Sequence, residues 1–178
     1  MKYSEIPNKI INNGRKELSA NVMAPYTIIQ VDNIEIKVIN EKPEFQKLEY
    51  ADNGSAGFDI STINPFVIRP NERKLISTGL KMEIPVGYEL QIRPRSGLAL
   101  KYGITVLNAP GTVDSSYRGE IGIILYNTSG TSFYAETGDR IAQGIFAKYV
   151  VGIFKKVENK ESLSKTERGE GGFGHTGV

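Results

Sequence analysis

The chain has 178 residues, with 22 Lys and Arg against 20 Asp and Glu, a single His and no Cys. This length suits one domain of ordinary size with a hydrophobic core. The net charge of +2 provides no field strong enough to attract duplex DNA, so we expect no nucleic-acid partner. The missing cysteines exclude disulfide frameworks, cysteine nucleophiles and Cys/His zinc sites. No run approaches 18 apolar residues and the first residues lack the apolar core of a signal peptide, so we expect a soluble protein, cytoplasmic or otherwise intracellular, with no membrane partner.

In chain order, residues 1–33 mix Asn, Lys, Pro and short apolar clusters without a sustained period, and we interpret them as an N-terminal extension of unknown role. From residue 34 onward, short runs rich in Val, Ile, Tyr and Thr are separated by Gly, Pro and Asn, which predicts an all-β sandwich or barrel. Alternation is clearest in residues 88–93, where Tyr88, Leu90 and Ile92 are expected to face the core. Further strands are predicted at residues 34–39, 74–77, 80–84, 104–107, 121–126, 133–135 and 141–150.

One short helix is predicted at residues 96–102, closed by Gly103 in the position of a C-cap glycine. Residues 155–165 are charged and polar, which is typical of a linker. The tail that follows, RGEGGFGHTG at residues 168–177, is rich in glycine and suits a flexible arm that folds over a ligand. We therefore divide the chain into an extension (1–33), a β domain (34–154) and a linker with a C-terminal arm (155–178).

The segment PRSG at residues 94–97 joins a predicted strand to the predicted helix. Ser96 is expected near the helix N-terminus, where backbone N–H groups and the helix dipole favour an anion. Arg95 adds a bidentate donor that suits phosphate. Taken alone, however, the segment is better interpreted as a Ser N-cap beside a surface Arg.

The segment GTVDSSYRGE at residues 111–120 sets a carboxylate, an aromatic ring and an arginine on a turn bounded by glycines. Asp114 is a candidate catalytic group, although Asp beside Gly and Ser also forms Asx-turns. Tyr117 could equally be a core aromatic, and Arg118 could form a cross-strand surface pair with Glu120.

Two further segments, AGFD at residues 56–59 and GDRIAQ at residues 138–143, have the composition of short acidic turns. The alternative role for Asp59 and Arg140 is a buried or rim ion pair. A tail of this kind can also be a disordered nucleic-acid binder, but its single Arg and single Phe argue against that function.

Taken together and in order, AGFD, PRSGLA, N-x-x-G-x-V-D-x-x-Y-R-G-E, GDRIAQ and RGEGGFGHTG resemble the five motifs of the trimeric dUTPase family, the deoxyuridine triphosphate nucleotidohydrolases. The resemblance covers about residues 34–178. It implies a distorted β jelly roll and a homotrimer whose active sites are shared between subunits. It also implies hydrolysis of dUTP to dUMP and pyrophosphate by water attack on the α-phosphorus, which limits uracil incorporation into DNA and supplies dUMP for dTMP synthesis.

The resemblance implies roles for individual residues. Asp114 would hold and polarise the attacking water, and Tyr117 would pack on deoxyribose and leave no room for a 2′-hydroxyl. The residues implied to bind substrate are Asn108, Gly111, Thr112 and Val113 at uracil, Arg95, Ser96, Gly97 and Gln143 at the phosphates, and Arg168, Phe173 and Gly174 in the closing arm. The chain departs from the family at His175, where a Ser or Thr is usual.

Mg²⁺ is the implied cofactor, carried by the phosphates without a direct protein ligand, with Asp59 and Gln143 holding its waters. Two rival functions share the fold. A dCTP deaminase would use a glutamate to activate water at the base, and a regulatory trimer would bind dUTP and a protein partner, for example through residues 1–33. Asp114 followed by Tyr-Arg-Gly favours the hydrolase, and the absence of Cys excludes zinc deaminases.

Overall fold

The computed structural model describes residues 33–172. Contacts separate Met1–Asn33 from Ile34–Val178, and all of the described strands and the helix belong to the second unit. Within residues 33–172 the chain forms one α-helix and eleven strands: β1 (Lys37–Asn40), β2 (Phe58–Ser61), β3 (Phe66–Ile68), β4 (Arg73–Ser77), β5 (Leu80–Glu83), β6 (Tyr88–Arg93), α1 (Ser96–Tyr102), β7 (Ile104–Val106), β8 (Gly111–Val113), β9 (Gly122–Asn127), β10 (Phe133–Ala135) and β11 (Arg140–Lys148). The predicted all-β fold with one short helix is confirmed, whereas the boundaries chosen for the extension, domain and arm stay a prediction.

The described strands pair antiparallel in four small sheets. The largest has the order β2-β11-β6-β8, the next has the order β4-β9-β7, and two-stranded sheets join β1 to β5 and β3 to β10. Short sheets of this kind, wrapped around one apolar core, form the distorted jelly roll expected from the sequence. The completely buried apolar side chains of that core are Ile60, Ile68, Leu80, Leu90, Ile104, Ile121, Ile123, Leu125 and Ile141.

Strand β6 follows its predicted alternation. Leu90 and Ile92 are buried, Tyr88 is half-buried and packs against the core, and Arg93 is exposed. Period-two alternation over a whole strand is therefore a sufficient signal for both its existence and its inward face.

Helix α1 ends as predicted and begins one residue earlier than a Ser N-cap would allow. Gly103 adopts the left-handed conformation (φ 65°, ψ 24°) and its N–H donates to Ala99 O (3.1 Å for N···O). A Cβ at this position would also lie 2.9 Å from Thr128 Oγ1, so both backbone and space require glycine. At the other end the N-cap is Arg95, in extended conformation and without a side-chain cap, so the N-cap interpretation of Ser96 was wrong.

Strands β2, β3 and β8 were not predicted. Strand β2 contains Asp59, which gave its sequence the composition of an acidic turn, and β8 is three residues long and begins with glycine. The predicted linker also contains a short 3₁₀ turn at Lys160–Ser162, where the Asn159 side chain accepts the Ser162 N–H (3.2 Å).

A buried glutamine holds the end of β2 beside the β4–β5 turn. The Gln46 side chain accepts the Ser61 N–H (2.7 Å) and donates to the carbonyls of Ser61 (3.0 Å) and Thr78 (3.4 Å). Because each buried polar atom of Gln46 is bonded, the amide links three chain segments at little desolvation cost.

In the described part of the chain, no helix is both long enough and apolar enough to cross a membrane.

Candidate active site

A surface cavity of about 220 Å³ lies between strand β8, the loop that follows it and the start of β9. Its lining residues are Thr112, Val113, Asp114, Tyr117, Glu120, Ile121 and Gly122. Four of these are residues for which the sequence predicted a site role: Thr112, Val113, Asp114 and Tyr117. The fold therefore brings together the candidate catalytic carboxylate, the candidate sugar-binding ring and part of the predicted uracil site.

Strand β8 lies at the edge of the four-stranded sheet and pairs with β6, with Thr112 opposite Gln91 and Gly111 opposite Ile92. An edge strand leaves backbone N–H and C=O groups on one side without a ladder partner. The Asn108 side chain packs on the first residue of the strand, since a Cβ added to Gly111 would lie 3.1 Å from Asn108 Nδ2. Glycine at this position lets the loop side chain contact the edge strand directly.

Asp114 follows β8 and is exposed. Its backbone carbonyl accepts the Tyr117 N–H (3.0 Å), which closes a turn. Its carboxylate makes no hydrogen bond or ion pair with any other residue between 33 and 172, so it does not form the Asx-turn considered from the sequence. The carboxylate is thus available to a molecule in the cavity.

Tyr117 is not a core residue, because 45% of it is exposed. Its hydroxyl donates to the Glu120 carbonyl (2.8 Å for O···O), and its ring folds back over Gly119. A Cβ on Gly119 would lie 2.6 Å from Tyr117 Cζ, so only glycine leaves room for the ring in this position. The ring is therefore held at the cavity wall by one hydrogen bond and by the lack of a side chain beneath it.

A second group of predicted site residues lies at the end of the same sheet. Arg95 Nε donates to Asp59 Oδ1 (2.8 Å), its Nη1 donates to the Arg140 carbonyl (3.1 Å), and Arg140 Nη1 donates to Asp59 Oδ2 (3.0 Å). The rim ion pair considered for Asp59 and Arg140 is therefore present, and Arg95 joins it. Gln143 lies next to Asp59 in register, and its Nε2 donates to the Pro94 carbonyl (2.8 Å).

These contacts orient the PRSG segment at residues 94–97. The Asp59 carboxylate neutralises part of the charge of two guanidinium groups and fixes the Arg95 side chain, which is about one quarter exposed. Ser96 and Gly97 are exposed in the first turn of α1, where the N–H groups lack intrahelical partners.

The two groups are far apart within one chain. Asp59 on β2 is three strands from β8, which is about 14 Å at the usual strand spacing. Through Gln143, Asp59 is level with Arg93, whereas Val113 is level with Leu90, which adds roughly 10 Å along the strands. The segment that carries Asp114 and the Asp59 carboxylate that binds Arg95 therefore lie well apart on the sheet of a single chain.

In the tail, Arg168 is exposed and its Nε donates to the Gly171 carbonyl (2.7 Å). An exposed ion pair joins Lys160 to Glu170 (2.7 Å). The predicted contacts of Phe173 and Gly174, and the departure at His175, lie outside the described residues.

A family model described as dUTPase matches residues 43–177. The chain belongs to the dUTPase family. The deoxyuridine 5′-triphosphate nucleotidohydrolase of Nautilia profundicola is 52% identical over 147 residues, which cover 81% of this chain and 98% of that protein. The solved structure of a dUTPase variant of Staphylococcus bacteriophage 80alpha with dUpNHpp has a TM-score of 0.70 and 27% identity, covering 82% of this chain and 100% of that chain. A dUTPase variant from phage phi11 of S. aureus, whose structure concerns the coordination of a structural Mg(II) ion, has a TM-score of 0.64 and 23% identity, covering 72% of this chain and 100% of that chain.

Two contacts near the candidate site of this dUTPase family member were not predicted from the sequence. Glu120 does not pair with Arg118, which instead donates to the carbonyls of Ser115 (2.6 Å) and Tyr117 (2.8 Å). The Glu120 carboxylate accepts hydrogen bonds from the β4–β5 turn, and because that turn precedes it by 41 to 43 positions, no local sequence signal could have shown this contact.

The second missed contact involves Tyr149, which follows β11. Its hydroxyl accepts the Gly87 N–H (3.2 Å), and this bond, together with one from the Ser115 side chain, lowers the pKa of the phenol. The Tyr149 hydroxyl thereby links the segment after β11 to the turn before β6. Because this bond joins residues that are far apart in the sequence, no local pattern could have predicted it.

Proposed function

We propose that this member of the dUTPase family hydrolyses dUTP to dUMP and pyrophosphate, with Asp114 as the group that holds and polarises the attacking water. The observation that carries the proposal is the Asp114 carboxylate, which lines a surface cavity together with Tyr117 and strand β8 and makes no hydrogen bond or ion pair with the other described residues. In this family member every position of the hydrolytic motif GTVDSSYRGE is also filled.

The reaction needs positioning more than covalent help from the protein. The water oxygen forms a bond to the α-phosphorus while the bond from that phosphorus to the bridging oxygen breaks, and pyrophosphate leaves with the bridging oxygen. A proton of the water passes to the Asp114 carboxylate. Since a carboxylate is only weakly basic at neutral pH, holding the water in line contributes as much as accepting its proton.

Uracil recognition is assigned to the edge of β8. The backbone groups of Gly111, Thr112 and Val113 on the unpaired side of the strand would meet the donor and acceptor edge of the base, with Asn108 beside them. Cytosine presents the opposite donor and acceptor pattern at positions 3 and 4, and thymine carries an added methyl group. Both bases would therefore fit less well than uracil.

Tyr117 is assigned to the sugar. Its ring stands at the cavity wall with its hydroxyl end bonded to the Glu120 carbonyl, so it cannot withdraw without breaking that bond. A ring held against C2′ of the sugar leaves no space for a 2′-hydroxyl, which discriminates against UTP.

Arg95, Ser96, Gly97 and Gln143 are assigned to the phosphates. Because Arg95 lies far from Asp114 in the same chain, we assign the two groups of one active site to different subunits of a homotrimer. A run of exposed apolar side chains supports assembly: Val150, Val151, Ile153 and Phe154 are 96%, 75%, 97% and 99% exposed. Arg168, Phe173 and Gly174 would then close the site as an arm from a neighbouring chain.

Mg²⁺ fits this site as a companion of the triphosphate. Among the described residues no cluster of three or more His, Cys, Asp or Glu side chains could hold a metal ion. Both Asp59 oxygens accept hydrogen bonds from guanidinium groups, while the Gln143 amide donates through Nε2 and so leaves its oxygen facing away from Pro94. Mg²⁺ keeps several waters and is commonly held by substrate phosphates, so Asp59 and Gln143 would contact its waters and not the ion.

The test measures pyrophosphate release from dUTP, dCTP, dTTP and UTP in parallel with Mg²⁺, with the nucleotide products separated by chromatography. Release from dUTP alone, with dUMP as product, is the expected result. Conversion of dCTP to a uracil nucleotide would support a deaminase of the same fold instead. Binding of dUTP without turnover would support a regulatory trimer.

A further inference from the structure

The carboxylate of Glu120 is hydrogen-bonded to the β4–β5 turn, which is distant from it in the sequence. Its Oε1 accepts hydrogen bonds from the Ser77 hydroxyl, the Thr78 N–H (3.0 Å) and the Gly79 N–H (2.8 Å). The Ser77 hydroxyl, followed by the Gly79 N–H, lowers the pKa of Glu120 below its ordinary value. Three donors that converge on one oxygen stabilise the ionised carboxylate and fix its position, unlike the surroundings of a solvent-exposed carboxylate.

Neighbouring bonds fix the backbone on both sides of this carboxylate. The Ile121 N–H donates to the Leu80 carbonyl (2.8 Å), and the Thr78 hydroxyl donates to the Ile121 carbonyl (2.6 Å). The β4–β5 turn therefore holds both the side chain of Glu120 and the peptide that follows it. The backbone carbonyl of Glu120 also accepts the Tyr117 hydroxyl (2.8 Å).

The position of the Tyr117 ring thus depends on Glu120. The ring folds over Gly119, where any side chain would collide with it, and its outer end is bonded to the Glu120 carbonyl. If the carboxylate is released from the turn, the peptide that follows Glu120 keeps only the bond from the Ile121 N–H to the Leu80 carbonyl, so the Glu120 carbonyl can tilt and the ring is held less firmly. Local packing offers no substitute, since 45% of Tyr117 is exposed.

We propose that Glu120 is a positioning residue for sugar selectivity: by bonding to the β4–β5 turn it fixes the carbonyl that directs Tyr117, and so sets the discrimination between deoxyribose and ribose triphosphates. This inference rests on the proposed hydrolysis of dUTP. Glu120 acts through Tyr117 and not on the reacting atoms, so its loss should change selectivity more than the turnover number for dUTP.

The variants Glu120→Ala and Glu120→Gln are compared with a matched control, Glu72→Ala. The control also removes a carboxylate that accepts a backbone N–H in a turn, because Glu72 Oε2 accepts from Arg69 (2.7 Å), but it lies outside the cavity lining. We expect the ratio of kcat/KM for dUTP to that for UTP to fall on the order of tenfold in Glu120→Ala. The ratio should fall less in Glu120→Gln, whose amide oxygen still accepts hydrogen bonds, and should stay at the wild-type value in Glu72→Ala.

A second readout does not depend on turnover. In protein labelled with ¹³C in its tyrosine rings, the Tyr117 signal is assigned by its loss in Tyr117→Phe. We expect that signal to shift or broaden in Glu120→Ala and to remain unchanged in Glu72→Ala. If Glu120→Ala does not fold, Ser77→Ala removes one donor while keeping the carboxylate, and a smaller change in the same direction is expected.

The outcomes separate the inference from the proposed function. Wild-type protein that releases no pyrophosphate from dUTP would contradict the hydrolase, while the Tyr117 signal would still show whether Glu120 directs the ring. An unchanged dUTP to UTP ratio in a folded, active Glu120→Ala protein would overturn the role in selectivity, even if the ring signal moved. An unmoved ring signal would overturn the positioning role itself.

Discussion

Complementation between two inactive variants tests whether one active site is built from two chains. The first variant, Asp114→Asn, keeps the residues assigned to the substrate phosphates and lacks the carboxylate. The second, Arg95→Ala, keeps the carboxylate and lacks the guanidinium that Asp59 orients. Each variant alone lacks one of the two groups in every site, so we expect neither to be active. Because Asp59 lies about 14 Å from β8 across the sheet and roughly 10 Å along it, we expect mixing the two variants to restore complete sites between chains.

The activity expected of trimers that contain both variants follows from the symmetry of a closed trimer. In a trimer with two chains of one kind and one of the other, a site that takes Asp114 from one chain and Arg95 from the next is complete at about one of its three positions. Mixed trimers should therefore recover about one third of the wild-type kcat for dUTP, whichever variant is in excess.

The assay uses co-expression with two different affinity tags and purification over both, so that every oligomer contains both variants. The matched control pairs two differently tagged chains that both carry Asp114→Asn, where no site can be complemented. Activity no higher than the sum of the two variants measured separately would show that each chain contains its own site, and the assignment of the two residue groups to different subunits would be wrong.

Four further changes are expected to have measurable effects. Asp114→Asn should lower kcat by about 10²- to 10⁴-fold with little change in dUTP affinity, because a water-positioning carboxylate is lost; wild-type kcat in this variant would contradict the mechanism. Deletion of residues 168–178 should lower kcat on the order of a hundredfold through loss of closure, and an unchanged kcat would show that the arm does not act in the site. Asp59→Asn should raise the KM for dUTP about threefold to fivefold, since the partly exposed pair with Arg95 (2.8 Å) loses its charge; a lower kcat at unchanged KM would instead place Asp59 at the reaction itself. Because the folded state lowers the pKa of Glu120 below 4.5, its stabilisation is present above that pH and is lost as the pH falls through the folded value, so the free energy of unfolding of wild type should approach that of Glu120→Gln in acid urea titrations, and a difference that does not depend on pH would contradict this.

The elements that could be predicted from sequence are those whose signal is local. Strand β6 is recognisable by its alternation, and the helix that follows ends at Gly103, whose left-handed conformation few other residues adopt. Strand β2 was missed because its Asp59 lowers the strand signal, yet the carboxylate is satisfied by Arg95 and Arg140 from distant segments. A local pattern does not contain such partners.

The same distinction applies to the candidate site. The motif around Asp114 and Tyr117 lies within one loop, and the fold keeps its members at one cavity. The interpretation of Arg118 as the partner of Glu120 relied on their closeness in sequence and was wrong. The donors to Glu120 come from the β4–β5 turn, which is distant in sequence. Long-range hydrogen bonds decide where these side chains point, and they depend on the completed fold.

The nearly complete exposure of Ile153 and Phe154 also has a consequence for how stability is measured. In the proposed trimer a neighbouring chain would cover side chains of this size, so the folded state would be favoured by mass action of its own chains. The thermal midpoint should therefore rise with protein concentration, and dilution should act on this protein as a mild denaturant. A melting temperature for this chain has a physical meaning only when the concentration at which it was recorded is stated with it.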